Sequence, residues 1–205
     1  MMNKFNPNVH HRSSIRLKGY DYSQSGLYFV TICVKKRICL FGDIDNEKMI
    51  LNGAGTMINK WYYELENKFR DIKCLEMTIM PNHFHCIIRN VGADLCVCPV
   101  KSSRDQQISR DQQILGEHTG SPLHRVLQWF KTMTTNEYIR GVKDNNWLRF
   151  DGKLWQRNYW EHIIRNEISY QTISAYVSNN PQKWNEDKLN PDVNHRRGRP
   201  VCLPC

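Results

Sequence analysis

The chain has 205 residues and a mass of 24.3 kDa, which fits one domain with terminal extensions and is ample for a sizeable core. Its six Trp, nine Tyr and seven Phe exclude wholesale disorder, and no apolar run approaches the ~20 residues of a membrane-spanning helix. Lys plus Arg number 29 against 20 Asp plus Glu; the net charge of +9 and pI near 9.2 favour a polyanionic partner, with nucleic acid first.

The chain opens on a basic arm, residues 1–18, with Arg12 and Arg16. It has no apolar segment of the kind that directs secretion. A strand is expected over Leu27–Val34, then a short one at Met49–Leu51, with a turn at Asn52-Gly53. Met57, Ile58, Trp61, Tyr62, Leu65 and Phe69 recur at helical spacing and predict a helix over residues 55–70. Leu75, Met77 and Ile79 alternate and are expected on one face of a strand. After Pro81-Asn82 a second strand, His83–Arg89, sets Phe84, Cys86 and Ile88 against His83, His85 and Ile87. Residues 91–118 carry no periodicity and hold a perfect tandem hexapeptide, Ser103–Ile108 repeated as Ser109–Ile114; they are expected to be a flexible insertion.

Ser121-Pro122 marks the start of a second helix, followed by a short strand within Leu154–Ile164 and a third helix over Glu167–Asn179. The expected domain is residues 19–185, and residues 186–205 are expected to form a basic tail. Strand, helix, two strands, helix, strand, helix is an α+β order, with an antiparallel sheet and helices packed on one face. The eight cysteines are expected to stay reduced in the cytoplasm. Cys33, Cys74 and Cys86 fall in strand-like runs and suit small core residues. Cys96, Cys98, Cys202 and Cys205 lie in loop or tail sequence, a weak zinc signal, and no zinc site is expected.

His83-Phe84-His85 is the sharpest local feature. A strand presents both imidazoles on one face while Phe84 anchors the other, and two neutral imidazoles a pleat apart can chelate one divalent ion. The same spacing also suits a pair of surface histidines. Tyr176 and Asn180 are i and i+4, hence on one helix face, and offer a phenol and an amide oxygen. Nitrogen plus oxygen donors favour Mg²⁺ or Mn²⁺. Arg157 and Arg165 flank Tyr159 and Trp160, an interleave suited to unpaired bases, although Trp160 suits the core. Lys131 and Arg125 on the second helix are candidates for phosphate contacts.

Met80-Pro81-Asn82-His83-Phe84-His85-Cys86-Ile87-Ile88 resembles the HUH motif of single-tyrosine transposases that act on single-stranded DNA. Leu154–Asn166 is similar to the stretch before the tyrosine helix of the REP-associated tyrosine transposases, and Tyr176-Val177-Ser178-Asn179-Asn180-Pro181 resembles their tyrosine motif. Arg16–Tyr22 with Gly26–Thr31 is similar to the same branch. The resemblance covers residues 12–184 apart from the insertion. It implies a ferredoxin-like fold with the histidines on a central strand. It further implies metal-dependent cleavage and rejoining of single-stranded DNA beside hairpins of palindromic repeats, through a covalent 5′-phosphotyrosine. Carried onto this chain, His83, His85 and Asn180 hold the metal, Tyr176 is the nucleophile, and the protein works as a monomer or homodimer. The alternatives are a catalytically inactive DNA-hairpin-binding protein of the same fold, and a metal-dependent hydrolase in which Tyr176 is structural.

Overall fold

Leu27 to Ile32 is an unbroken run of apolar, aromatic and β-branched residues, the composition of a strand buried on both faces. It forms β1, Gly26–Cys33, in a computed structural model that describes Leu17, residues 19–92 and residues 121–196. Arg12, Arg16, nearly all of the insertion, the tandem repeat and the four cysteines at 96, 98, 202 and 205 lie outside the described residues. A small hairpin follows, β2 (Gly42–Asp45) and β3 (Lys48–Leu51), then α1 (Gly53–Lys68), β4 (Ile72–Met80) and β5 (His83–Asn90). Beyond residue 120 come α2 (Leu123–Asp144), β6 (Trp160–Ile164), α3 (Glu167–Ser178) and α4 (Pro191–Arg196). β2 was absent from the sequence expectation because Gly42-Asp43-Ile44-Asp45 carries little apolar signal; its pairing with β3 makes it a strand.

The main sheet runs β4-β5-β1-β6 with every neighbour antiparallel. With the hairpin set aside, the chain order is βαββαβ, the ferredoxin-like arrangement, and β5 is central as expected. Tyr28, Val30 and Ile32 of β1 and Phe84, Cys86 and Ile88 of β5 face a core closed by Ile58 and Tyr62 of α1 and Leu127 and Phe130 of α2. The opposite face holds Phe29 and Ile87, and there Val177 of α3 and Ile164 of β6 close a smaller cluster. Two helices therefore cover one face, as the sequence predicts, and the third lies on the other, against β4 and β5. The structure also corrects the face of Leu75. A register shift between Cys74 and Met77 turns Leu75 toward the α3 side, while Met77 and Ile79 keep to the main core.

The helix ends follow from local chemistry. Asn52 caps α1, its Oδ1 accepting from the Gly55 N–H at 2.9 Å, and Asn166 caps α3, accepting from Ser169 N–H at 2.8 Å. At α2 it is Pro122, not Ser121, that occupies the cap position, and it supplies no side-chain bond. Ser121 instead anchors the chain's return to the sheet. Its N–H and hydroxyl both donate to the Asp71 carboxylate, and the Asp71 carbonyl accepts from Val91 N–H at 2.8 Å. Among the described residues no helix is long and apolar enough to cross a membrane.

Gly141 of α2 sits directly beneath the Trp147 ring, and a Cβ there would be driven into it. Alanine gains about 1 kcal/mol of helix propensity over glycine, but forcing a rigid indole aside costs more. Gly141→Ala is expected to lower stability by about 1–3 kcal/mol, read as an earlier denaturation midpoint. A midpoint at or above that of the parent protein would show that the indole moves freely.

Candidate active site

The period of β5 puts His83 and His85 on the α3 face and Phe84 on the core face, as expected. Both imidazoles are buried, and their Nε2 atoms stand 3.1 Å apart. Cross-strand pairing sets Thr31 opposite His85 and Cys33 opposite His83. Thr31 Oγ1 lies 2.7 Å from His85 Nδ1, and because a hydroxyl either donates or accepts it supports either tautomer of that ring. Burial holds both histidines neutral: His85 is pulled down to about 3, and His83 well below the ordinary imidazole range, with His85 and Arg37 adding to the effect.

Asn82 fixes the other ring. Its side chain is wholly buried, and Nδ2 donates to the carbonyls of Arg37 at 2.9 Å and Leu189 at 2.8 Å. Its Oδ1 must then face His83 Nδ1, 2.8 Å away, and an amide oxygen only accepts. His83 therefore carries its proton on Nδ1 and presents a bare lone pair at Nε2.

α3 brings Tyr176 over the pair, with Oη 3.4 Å from His85 Nε2. Burial and the nearby Asp187 carboxylate raise the phenol above its ordinary value, so it is protonated at neutral pH. Asn180 lies one turn further, where α3 gives way to a 3-10 turn at Pro181–Glu186, so the i, i+4 relation survives the helix end. Its side chain is buried, and its Oδ1 has no hydrogen-bond partner among the described residues. The other tyrosine of α3, Tyr170, donates to Glu76 Oε1 at 2.6 Å; that bond, then burial, pushes it up to about 12. It is held at β4, clear of the histidines.

Among the described residues no three His, Cys, Asp or Glu side chains close into a ready-made metal cage. The orphaned amide oxygen of Asn180 could complete, with the two imidazoles, a nitrogen-and-oxygen donor set of the kind that suits a hard divalent ion. His85 and Asn180 open onto a cleft of about 760 Å³ walled by Phe29, Trp160, Tyr176, Lys183 and Lys188, with His83 buried behind them. Trp160, assigned to the core on sequence, is 52% exposed: it stands on the α3 face at the open edge of the sheet, its ring parallel to His162 and edge-on to Phe29. Tyr159 is the aromatic that leans into the main core. Cys33 likewise lines the cleft rather than the core.

The remaining basic candidates are scattered. Lys131 donates to the carbonyls of Gln156 at 2.6 Å and Arg157 at 3.1 Å, so it clamps the loop before β6 instead of waiting for phosphate. Arg157 is exposed beside that clamp, and Arg165 lies at the far end of β6, in a separate hollow with Arg89. Residues 187–189, expected to lie in the tail, pack on the histidine motif. Asp187 Oδ2 lies 3.6 Å from His83 Nε2, and the Trp184 ring stands 6.1 Å from that of His83. Asp187 is absent from the sequence expectation, since a lone carboxylate in polar sequence gives no local signal.

Fold and site together define a ferredoxin-like α+β protein in which a helix-borne tyrosine faces paired histidines. The chain is 36% identical over 197 residues to an uncharacterized protein of Haemophilus influenzae (strain ATCC 51907 / DSM 11121 / KW20 / Rd), covering 94% of this chain and 100% of that protein; it belongs to the same family. No family model matches. A solved structure of a REP-associated tyrosine transposase bound to a REP hairpin overlaps 95% of the chain and 92% of its own, at 16% identity and a TM-score of 0.49. A candidate transposase of Deinococcus radiodurans R1 overlaps 80% and 95%, at 12% identity and a TM-score of 0.41.

Asn82→Asp keeps the acceptor for His83 but turns the donor into an oxygen aimed at two carbonyls. It is expected to cost about 2–5 kcal/mol in chemical denaturation. A loss within about 0.5 kcal/mol, the range of an ordinary surface substitution, would show that the amide network carries no such weight.

Proposed function

We propose that this chain is a metal-dependent single-stranded DNA endonuclease and strand transferase acting at hairpin-flanked sites through a covalent 5′-phosphotyrosine. The observation that carries the reading is the phenol of Tyr176 3.4 Å from His85 Nε2, with the unpartnered Asn180 oxygen one turn away. The motif resemblance over residues 12–184 supports the same reading. His83, His85 and Asn180 would hold the ion, Mg²⁺ or Mn²⁺. When bound, it supplies Lewis-acid polarisation and charge neutralisation of a phosphate.

The residues of the chain do the rest. Tyr176 Oη attacks phosphorus and gives up its proton; the P–O3′ bond breaks, and the leaving oxygen takes a proton to become a free 3′-OH. The phosphoester energy stays in the tyrosine link, so a 3′-OH can reverse the step without ATP. Thr31 and Asn82 orient the two imidazoles, and α3, seated by Val177, fixes the reach of the phenol. The exposed Trp160 offers a stacking surface for an unpaired base, while Lys183 and Lys188 on the cleft wall suit phosphates.

Tyr176→Phe removes only a hydroxyl. Folding and hairpin binding should survive, while cleavage and a covalent adduct with single-stranded hairpin oligonucleotides in Mn²⁺ should vanish. Peptide mapping should find the DNA on Tyr176; an adduct on Tyr170 or Tyr159, or full activity of the variant, would overturn the assignment. Hairpin retention with no adduct in the parent protein would favour the binding-only alternative.

Trp160→Ala should weaken binding of hairpins with single-stranded flanks by about 1–3 kcal/mol and leave plain duplex binding unchanged. Equal losses on both, measured at one salt concentration, would place Trp160 outside the base-binding surface.

A further inference from the structure

The cleft also holds an electron-pair donor that this reading does not use. Asp187 Oδ2 is buried, lacks a hydrogen-bond partner among the described residues, and stands 3.6 Å from the bare Nε2 of His83. That distance is too long for a hydrogen bond. The other carboxylate oxygen is committed, accepting from Leu189 N–H at 2.7 Å. In the tautomer where His85 Nδ1–H donates to Thr31 Oγ1, the centre gathers two imidazole lone pairs, an amide oxygen and a carboxylate oxygen, with no proton between them. Dehydrated lone pairs facing one another repel unless a cation joins them.

The placement of Asp187 is built. Trp184 packs against His83, Asn82 Nδ2 holds the Leu189 carbonyl, and Arg37 donates to the Lys188 carbonyl at 3.0 Å. Asn190 Nδ2 donates back to the Trp184 carbonyl at 2.9 Å. The amide that orients His83 thus also holds the backbone two residues beyond Asp187.

We propose that Asp187 becomes a ligand of the divalent ion, joining His83, His85 and Asn180 when the ion draws its carboxylate in from the 3.6 Å at which it stands from His83, since the two histidines and Asp187 form no ready-made cage; this rests on the reading that the histidine pair holds such an ion. The chemistry differs from that of the neutral set alone. Two imidazoles and an amide leave the ion its full double charge in a dehydrated pocket. One carboxylate halves that charge, adds a hard oxygen that favours Mg²⁺ or Mn²⁺, and leaves a net positive centre for a phosphate.

The test is Mn²⁺ binding to the full chain without DNA, by calorimetry and by the paramagnetic resonance signal of free ion. The parent protein should bind Mn²⁺, and Asp187→Asn should bind it at least tenfold more weakly. In EDTA the variant should melt no lower than the parent, because asparagine keeps the acceptor for Leu189 and removes a buried charge. Asp187→Ser, which can also accept from Leu189 N–H, should show the same loss. Co²⁺ should give the two proteins different d–d absorption, as a change of direct ligand requires. Unchanged Mn²⁺ affinity in both variants, with binding lost in His85→Ala, would overturn the role of Asp187 and leave the histidine reading standing. A parent protein that binds no Mn²⁺ would overturn both.

Discussion

Everything at the candidate site hangs on one buried amide. Asn82 sits in the turn between β4 and β5, with no exposed surface, and all of its side-chain polarity is spent inside the protein. A dehydrated carboxamide tolerates few arrangements, since each unmade bond costs about 1–3 kcal/mol. The arrangement it takes ties three stretches far apart in sequence: the loop after β1 at Arg37, the histidine strand, and the C-terminal segment at Leu189. The turn itself is held from outside, the Pro81 carbonyl accepting from Leu40 and Phe41 N–H and the Asn82 carbonyl from Val34 N–H. A β-turn normally faces water; this one is enclosed, which is why its side chain can decide the tautomer of a neighbouring imidazole.

The sheet separates stability from chemistry by parity alone. Phe84 stacks on Phe130 and meets Tyr62 edge-on in the main core, while the residues on either side of it look the other way. The large core is thus sealed by α1 and α2 without help from the site. The smaller cluster under α3 rests on four buried residues, Phe29, Ile87, Ile164 and Val177. For the proposed role, in which Tyr176 meets a large polymeric substrate, the thinner layer is the better carrier, because small adjustments there cost less packing.

Period-two alternation made the histidine face legible without coordinates, and the i, i+4 spacing placed Tyr176 with Asn180, because both are facts of backbone geometry. Parity failed where the backbone departs from its ideal repeat: the register shift after Cys74 reversed Leu75, and the true start of β6 at Trp160 exchanged the roles of Tyr159 and Trp160. Asp187 was illegible for a different reason. Its neighbours, Asn185, Glu186 and Lys188, are polar and exposed, so the segment has the composition of a solvated tail. Only its bonds to Asn82 and Arg37 bring it to the histidines. Lys131 shows the converse: a cation on a helix face resembles a phosphate contact until its backbone acceptors are seen.

Asp71 holds both ends of the stretch between Val91 and Ser121, at the end of the sheet remote from His83. The entropy of closing a loop between fixed ends grows only with the logarithm of its length, about 0.6 kcal/mol per doubling. Whole copies of the hexapeptide Ser103–Ile108 could thus be gained or lost between the same two anchors at small entropic cost. Copies of this gene that differ in repeat number would therefore encode the same sheet and the same site. The anchoring of one aspartate makes this part of the chain a place where length can drift between lineages while the chemistry stays fixed.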